Sequence, residues 1–152
     1  MPNVTIAQES PRQDEVVRLI KELDAYLGDL YPAESNHLLD IDTLAAPDIR
    51  FFVARRSGTV VGCGAVRVDA EGYGEVKRMY VHPTARGGQI GRRLLEHIED
   101  QARAEKLSAL RLETGIHQAE ALGLYRKLGF RERGPFGPYG SDPLSVFMEK
   151  VP

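Results

Sequence analysis

The residues of this sequence best suited to chemistry lie between positions 80 and 95, where glycines and arginines follow an apolar, β-branched segment. Gly87, Gly88 and Gly91 would let the backbone approach a ligand closely. The apolar residues that follow recur on one face of a helix: Ile90, Leu94, Ile98 and Ala102. Because the first turn of a helix has unpaired N–H groups and the positive end of the helix dipole, this strand, turn and helix predict a phosphate-binding site.

Three arginines, Arg86, Arg92 and Arg93, surround the predicted start of this helix. Cationic side chains are poorly placed at a helix N-terminus unless an anion offsets them, which favours a binding site. The alternative is an ordinary glycine-rich turn with a basic first turn. Neither common nucleotide fingerprint fits, since G-x-x-x-x-G-K-[ST] is absent and residues 87–91 are too short for G-x-G-x-x-G.

Residues 86–91 resemble the acyl-CoA-binding motif R/Q-x-x-G-x-G/A of the GCN5-related N-acetyltransferases (GNAT family). Arg86 and Gly91 match its first and last positions, whereas Gln89 stands where the family usually has glycine. Residues 121–130 resemble the family's A-x-x-x-Y-x-K-x-G-F signature. The resemblance covers most of the chain and implies an N-acetyltransferase that uses acetyl-CoA and releases coenzyme A.

The resemblance also implies which residues contact the cofactor. Gln118 falls where many members place an asparagine that contacts the pantetheine arm, and Tyr125 would protonate the departing thiolate. A backbone N–H near Met79 to Val81 would meet the developing oxyanion. The alternative for Tyr125 is a tyrosine packed on the helix face. The full implied set is Met79, Tyr80, Val81, Arg86, Gly87, Gly88, Gln89, Ile90, Gly91, Arg92, Gln118 and Tyr125.

Acetyl transfer to an amine requires a base, because a free alkylamine is mostly protonated at pH 7. Glu75 lies six residues before Val81, where the histone-acetylating branch of the family carries its base, and it is predicted to act directly or through a water. Glu113 and His117 are rival bases. A solvated carboxylate at the end of a strand is the alternative for Glu75.

In the family, the segment between the first two helices lines the acceptor side. The resemblance therefore implies substrate contacts from Tyr31, Glu34, Asn36 and His37, and Glu113 joins this set. Ser35 or Asn36 could instead be the N-cap of a short second helix.

We expect a small acceptor that carries both an amine and a carboxylate. The Gly- and Pro-rich residues 136–143 would form a lid over the pocket, and Arg50, Arg131 or Arg133 could hold the carboxylate in a bidentate pair. Two alternatives remain open: acetylation of a protein N-terminus or lysine, and an acyl-CoA-binding regulatory module without turnover.

Composition limits the other classes of function. With 152 residues, 42% hydrophobic and 28% charged, the chain suits one domain over residues 1–152. A net charge of -2 gives no basic footprint for nucleic acid. Cys63, the only cysteine, sits in an apolar run and offers neither a disulfide nor a cysteine-based zinc site, so no metal is expected. Without a signal peptide or an 18-residue apolar stretch, we expect a cytoplasmic protein away from membranes, with a homodimer left open.

The elements that must position these residues follow the order βααβββαβαβ. This order predicts an α/β (α+β) domain with a mixed sheet. The GNAT resemblance refines it to a mostly antiparallel sheet of six to seven strands, splayed between strands four and five and flanked by about four helices. Strands are predicted at residues 4–8, 49–54, 59–68, 75–81, 109–114 and 144–150, and helices from Ser10 to 30, at 38–44, from 89 to about 106 and at 118–128.

Overall fold

The computed structural model describes residues 3–32 and 40–152 of the chain. Over these residues the chain forms seven strands, four α-helices and a 3-10 turn at Pro83–Ala85. In chain order the elements are β1 Val4–Gln8, α1 Asp14–Leu30, α2 Ile41–Leu44, β2 Ile49–Arg56, β3 Thr59–Val68, β4 Gly74–Val81, α3 Ile90–Ala104, β5 Leu110–Gly115, α4 Ala119–Lys127, β6 Arg131–Arg133 and β7 Ser145–Lys150. No described helix is long and apolar enough to cross a membrane.

The seven strands form one sheet in the order β1-β2-β3-β4-β5-β7-β6. The β4–β5 pair is parallel and the other neighbouring pairs are antiparallel. This confirms the expected mixed, mostly antiparallel sheet. Strand β6 has no counterpart in the sequence prediction, because its three residues read Arg-Glu-Arg and carry no apolar alternation.

The sheet splays between β4 and β5, as the family resemblance implies. The parallel ladder has only the pairs Gly74–Leu110, Glu75–Arg111 and Val76–Leu112. Beyond this point β4 stays paired with β3 up to Val81, and β5 stays paired with β7 up to Gly115. The two strands therefore diverge, and the facing backbone edges of residues 77–81 and 113–115 form no ladder with each other.

A bulge in β4 accompanies the opening. The pairs with β3 step from Cys63–Tyr80 to Ala65–Lys77, so one extra residue is accommodated in β4. Arg78 takes up this residue with a φ of 58°, in the left-handed region that non-glycine residues rarely adopt. The bulge re-aims the side chains of β4 at the start of the opening.

Helices cover both faces of the sheet. On one face α3 buries Leu94, Ile98 and Ala102 against Leu110 and Leu112 of β5. On the other face α1 packs Val16, Leu19 and Ile20 against β2 and β3. A smaller cluster holds the loop before β7 to the sheet: Tyr73, Ala109, Phe136 and Phe147, with Tyr139 packed against it.

The first residues of helices α1 and α2 can be compared with the sequence prediction. Helix α1 begins at Asp14 rather than at Ser10, since Gln13 holds the extended N-cap conformation. The described helix α2 begins at Ile41, where the Asp40 carboxylate accepts a hydrogen bond from the Thr43 N–H at 2.8 Å. The proposed caps Ser35 and Asn36 lie outside the described residues.

Candidate active site

The turn between β4 and α3 presents a bare helix N-terminus. Gly87 has a φ of 89° and Gln89, the N-cap of α3, a φ of 62°. The Gln89 side chain makes no capping hydrogen bond, and the first turn of α3 contains no acidic residue. The first intrahelical bond to this cap runs from the Arg93 N–H to the Gln89 carbonyl, so the N–H groups of residues 90–92 have no acceptor within the helix. This terminus can bind an anion.

The left-handed backbone at Gln89 explains why glycine is usual at this position in the family motif. Only glycine adopts a positive φ without steric cost, whereas a residue with a Cβ pays roughly 1 kcal/mol there. Although Gln89 replaces the glycine of the family motif, the turn keeps the backbone conformation that a glycine would adopt there.

The three arginines near this turn point in different directions. The Arg86 Nε donates to the Val81 carbonyl at 3.1 Å, and its guanidinium lies over the Tyr80 ring. Arg92 lies 3.8 Å from Glu96 one turn along α3. Arg93 instead donates to the Val4 carbonyl of β1 at 3.0 Å. Arg86 and Arg92 are thus the arginines of this group available to a ligand of the turn.

A cleft of about 590 Å³ opens between this turn, β4 and the start of α4. All the residues predicted to contact the cofactor line it except Gly88, which lies within the same turn. Sequence reasoning missed Leu23 and Tyr26, which α1 contributes to the wall, as well as Leu124 and Lys127 of α4. A signal for Leu124 and Lys127 was present, since both fall inside the motif at 121–130.

Helices α3 and α4 approach closely at Gly91. A Cβ on Gly91 would lie 3.2 Å from Cδ2 of Leu124, a tighter contact than side chains normally make. Gly91 therefore keeps the first turn of α3 open on the side of the cleft. This close approach is a structural reason for glycine as the last residue of the motif.

Tyr125 lines the cleft on the side of α4. Burial, and then the negative charge of Glu113, raise the pKa of its hydroxyl above the ordinary value of 10.0. Its ring packs edge-on against Phe130 at 5.6 Å between centroids. Among the described residues its hydroxyl has no hydrogen-bond partner, and the raised pKa keeps it protonated at neutral pH.

The turn from β5 to α4 is tied at several points, one of them the hydrogen bond from the Ile116 N–H to the Leu144 carbonyl at 3.0 Å. The Gln118 side-chain oxygen accepts from the Gly115 N–H at 2.9 Å and from the Thr114 hydroxyl at 3.3 Å. The His117 N–H donates to the Tyr31 hydroxyl at 3.0 Å, and the two rings stack at 5.6 Å. Both His117 and Gln118 line the cleft.

The predicted acceptor residues divide between described and undescribed parts of the chain. Tyr31 is buried, and burial raises the pKa of its hydroxyl. Glu113 accepts a hydrogen bond from the Ser145 hydroxyl at 2.8 Å. The remaining predicted contacts, Glu34, Asn36 and His37, lie outside the described residues.

Glu75 is buried in a charged network rather than on the wall of the cleft. One carboxylate oxygen accepts from Arg67 at 3.3 Å, and the other lies 3.1 Å from the Lys77 amine. The Tyr139 hydroxyl also donates to Glu75 and accepts from Lys77. Burial, followed by the charge of Glu75, raises the pKa of Tyr139, so this hydroxyl stays protonated. The bond is between residues 64 positions apart, and no local pattern around Tyr139 indicates it.

Two of the arginines expected to bind a substrate carboxylate are already paired. Arg50 makes a bidentate pair with Glu105, at 2.9 and 2.8 Å, on the far side of the sheet from α1. Arg133 donates to Glu149 at 2.8 Å. Arg131 is exposed on β6, the edge strand. A substrate carboxylate would therefore have to displace Glu105 or Glu149 to pair with Arg50 or Arg133.

The loop expected to act as a lid packs against the sheet. Phe136 is 5% exposed and contacts Tyr73 and Phe147 edge-on. Tyr139 joins the network of Glu75. These contacts hold residues 136–139 against the sheet, and the lid over residues 136–143 stays a prediction.

A fold with a splayed sheet, a bare helix N-terminus and a tyrosine across the cleft defines a class of acyl-CoA-dependent transferases. The family model described as Acetyltransferase (GNAT) family matches residues 16–130. A relative from Azospirillum brasilense named IAA acetyltransferase is 78% identical over 151 residues, covering 99% of both chains. YsnE of Bacillus subtilis, an uncharacterized N-acetyltransferase, is 34% identical and covers 90% of this chain and 91% of its own.

Solved structures agree with the sequence matches. A structure from Klebsiella pneumoniae, described as an acyl-CoA N-acyltransferase, has a TM-score of 0.83 and 41% identity, with 97% of each chain covered. An N-acetyltransferase from Thermoplasma acidophilum, solved with coenzyme A, has a TM-score of 0.76 at 19% identity and shares the fold. This chain belongs to the GNAT acetyltransferase family and is an acyltransferase.

The residues of the cleft fit the cofactor of this family. GNAT acetyltransferases use acetyl-CoA, whose pyrophosphate needs anion-binding groups and whose pantetheine arm needs backbone partners. The cleft offers the bare N-terminus of α3 beside Arg86 and Arg92, and the β4 edge that forms no ladder with β5. Both requirements are met by groups within one cleft.

Proposed function

We propose that residues 1–152 form one N-acetyltransferase domain that moves an acetyl group from acetyl-CoA to the primary amine of a small molecule, by direct attack in a ternary complex. The observation that carries this proposal is the cleft at the point where β4 and β5 part, which is lined by the cofactor motif at the start of α3 and by Gln118 and Tyr125.

The pyrophosphate would be held by the N–H groups of the first turn of α3 together with Arg86 and Arg92. The β4 edge at residues 79–81 and Gln118 would bind the pantetheine arm. Bound acetyl-CoA supplies an acetyl group activated as a thioester. A backbone N–H near Met79 to Val81 would donate to the oxygen on which negative charge develops.

Tyr125 is the proposed general acid. Its raised pKa keeps the hydroxyl protonated across the neutral range, and Tyr125 lines the cleft. Because no described residue accepts its proton, the hydroxyl can donate to the sulfur side of the reaction without breaking an internal hydrogen bond.

Glu113 is the proposed base, in preference to Glu75. It is the first β5 residue after the last rung of the β4–β5 ladder. After burial, which is the main cause, its negative charge contributes to the raised pKa of Tyr125, and to a lesser degree to the raised pKa of Tyr31. Glu75 lies inside the ladder, and both of its oxygens already accept from cationic groups.

The acceptor is proposed to be small because the acceptor face is walled. The loop at Phe136 and Tyr139 packs on the sheet, and Arg78 of β4 is paired with Asp24 of α1, which would leave little room for a peptide on this side. A protein segment would need an open groove.

The cofactor site is tested by calorimetric titration of coenzyme A into an Arg86→Ala, Gly91→Asp variant. A carboxylate at position 91 opposes the pyrophosphate and crowds Leu124, so binding should weaken by at least tenfold. Arg131→Ala, which removes an exposed arginine on β6, is the matched control and should bind as the parent does. Equal affinity in the double variant would contradict the placement.

The acceptor is tested by thiol release with acetyl-CoA on a panel: single amino acids, their decarboxylated analogues, lysine-rich peptides, and IAA, which the name of the Azospirillum brasilense relative contains. We expect fastest turnover with a small amine that carries a carboxylate. Faster turnover of the peptides would replace the small-molecule proposal with protein acetylation. A cytoplasmic location and a homodimer stay predictions, which fractionation and sedimentation would check.

A further inference from the structure

We infer that Tyr31 is a positioning residue that sets the affinity for coenzyme A by fixing the turn from β5 to α4. Tyr31 was expected to contact the acceptor, but its described bond goes to the backbone of the cofactor cleft. The inference rests on the proposed cofactor site, because it requires that His117 and Gln118 face coenzyme A.

The contact between Tyr31 and this turn is close and specific. The tyrosine hydroxyl accepts from the His117 N–H at 3.0 Å, and its ring stacks on the imidazole with an interplanar angle of 23°. Gly115 has no room for a side chain, since a Cβ there would lie 1.7 Å from the Tyr31 hydroxyl. The ring therefore occupies the space that a side chain at position 115 would fill.

The turn is also held within its own layer, where the Ile116 N–H donates to the Leu144 carbonyl at 3.0 Å. Gln118 ties it from within, through the Gly115 N–H and the Thr114 hydroxyl. Tyr31 is the tie that comes from another layer of the fold, because it follows directly after α1 on the opposite face of the sheet. Helix α1 also supplies Leu23 and Tyr26 to the cleft, so Tyr31 sets the spacing between two of its walls.

This arrangement connects the two sides of the proposed active site. Tyr31 and Pro32 directly follow α1, at the position where the family resemblance implies acceptor contacts. The hydroxyl of the same residue ends on the backbone of a turn that lines the cofactor cleft. A change at Tyr31 should therefore reach coenzyme A through His117 and Gln118 rather than by direct contact.

Tyr31→Phe removes the hydroxyl and keeps the ring. The net free energy of one such hydrogen bond corresponds to roughly a two- to twelvefold change in an equilibrium constant. We therefore expect the Kd for coenzyme A and the KM for acetyl-CoA to rise within that range. Because Tyr31 lies outside the reacting groups, kcat should change less than KM. Tyr73→Phe is the matched control: it removes another buried tyrosine hydroxyl, far from the cleft, and should leave the Kd unchanged.

Two measurements keep the inference falsifiable if Tyr31→Phe does not fold. In the parent protein, hydrogen exchange at the His117 amide should be slow, and fast exchange there would overturn the inference. In a double-mutant cycle, Gly115→Ala should weaken coenzyme A binding in the parent but cost little in a Tyr31→Ala background, where the ring no longer fills the space. Additive effects would also overturn it, as would an unchanged Kd in Tyr31→Phe.

The proposed cofactor site and the inference about Tyr31 can be contradicted by different results. If Arg86→Ala, Gly91→Asp binds coenzyme A as the parent does, the cleft is not the cofactor site. Slow exchange at the His117 amide would still be measured in that case, since it does not depend on where coenzyme A binds.

Discussion

Val76 and Leu112 form the last pair of the parallel ladder between β4 and β5, and Glu113 is the next residue of β5. From this pair onward the two strands follow different partners, so backbone groups and side chains meet at an opening within an otherwise continuous sheet. The proposed base therefore follows the ladder directly, and the proposed acid, Tyr125, lines the cleft at this opening.

Replacing the two candidate bases, Glu113 and Glu75, should affect different properties: turnover in the first case and stability in the second. Glu113→Gln keeps the shape and the hydrogen bond from Ser145 but removes the charge, so kcat should fall by roughly 10²-fold or more with little loss of stability. Glu75→Gln should mainly destabilise the fold, by roughly 3 kcal/mol, because Arg67 and Lys77 lose their shared carboxylate. Urea unfolding and kcat measured together separate the two.

The reverse result for the two variants would assign the catalytic base to Glu75 instead of Glu113. If Glu75→Gln is as stable as the parent and inactive while Glu113→Gln turns over normally, then Glu75 takes the role that the family resemblance implies for it. Ser145→Ala is a useful companion, since it should disturb Glu113 alone.

Tyr125→Phe should lower kcat by roughly 10²- to 10⁴-fold while the Kd for coenzyme A stays close to that of the parent. The ring contact with Phe130 remains, so stability should change little. In the parent, the raised pKa of Tyr125 means that its ionisation should not lower the rate up to about pH 10. An unchanged kcat in Tyr125→Phe would leave this residue a packing role.

Gln89→Gly should stabilise the fold. Relief of the left-handed conformation gains roughly 1–2 kcal/mol, and the greater chain entropy of an unfolded glycine costs roughly 0.5–1 kcal/mol, leaving a net gain between about 0 and 1.5 kcal/mol. Coenzyme A affinity should rise or stay the same, and a large loss would show that the Gln89 side chain contacts the ligand.

Lys106→Gly is the matched control for Gln89→Gly. Lys106 also has a left-handed backbone, with a φ of 57°, but it lies beyond the other end of α3. It should give a similar stability gain by thermal unfolding with no change in coenzyme A affinity. A change in affinity from both variants would point to an effect through the helix as a whole.

The pair between Arg50 and Glu105 should make stability depend on acid pH. Hydrogen bonds from Arg50 lower the pKa of Glu105 below its ordinary value of 4.5, so its stabilising contribution is present above that value and lost as the pH falls through the lowered pKa. Glu105→Gln should therefore cost about 1 kcal/mol at pH 7 and little near pH 3.

Urea unfolding at several pH values checks this expectation, with Asp100→Asn as the control. Asp100 pairs with Arg103 at the surface and should contribute little at any pH. Turnover at pH 7 should be unaffected by Glu105→Gln. A rise in the KM of the acceptor would instead return Arg50 to the substrate site.

The sequence by itself determined the order of the elements and the cofactor motif, because both depend on neighbours along the chain. The periodicity of residues 90–102 predicted α3, and the glycines with Arg86 predicted an anion site at its start. The motif around Tyr125 predicted a residue that lies across the same cleft. The short strand β6 was not predicted, because its three polar residues show no alternation of apolar and polar side chains.

Only the tertiary structure decided which charged residues are free for chemistry. Arg50, Arg133 and Glu75 have the residue types of a binding site, but partners far along the chain occupy them: Glu105, Glu149, Lys77 and Tyr139. Tyr31 likewise meets His117, 86 positions away. Spacing along the sequence predicts contacts within one helix or strand. These pairs form instead because the register of the strands and the packing of helices on the sheet bring distant residues within hydrogen-bonding distance.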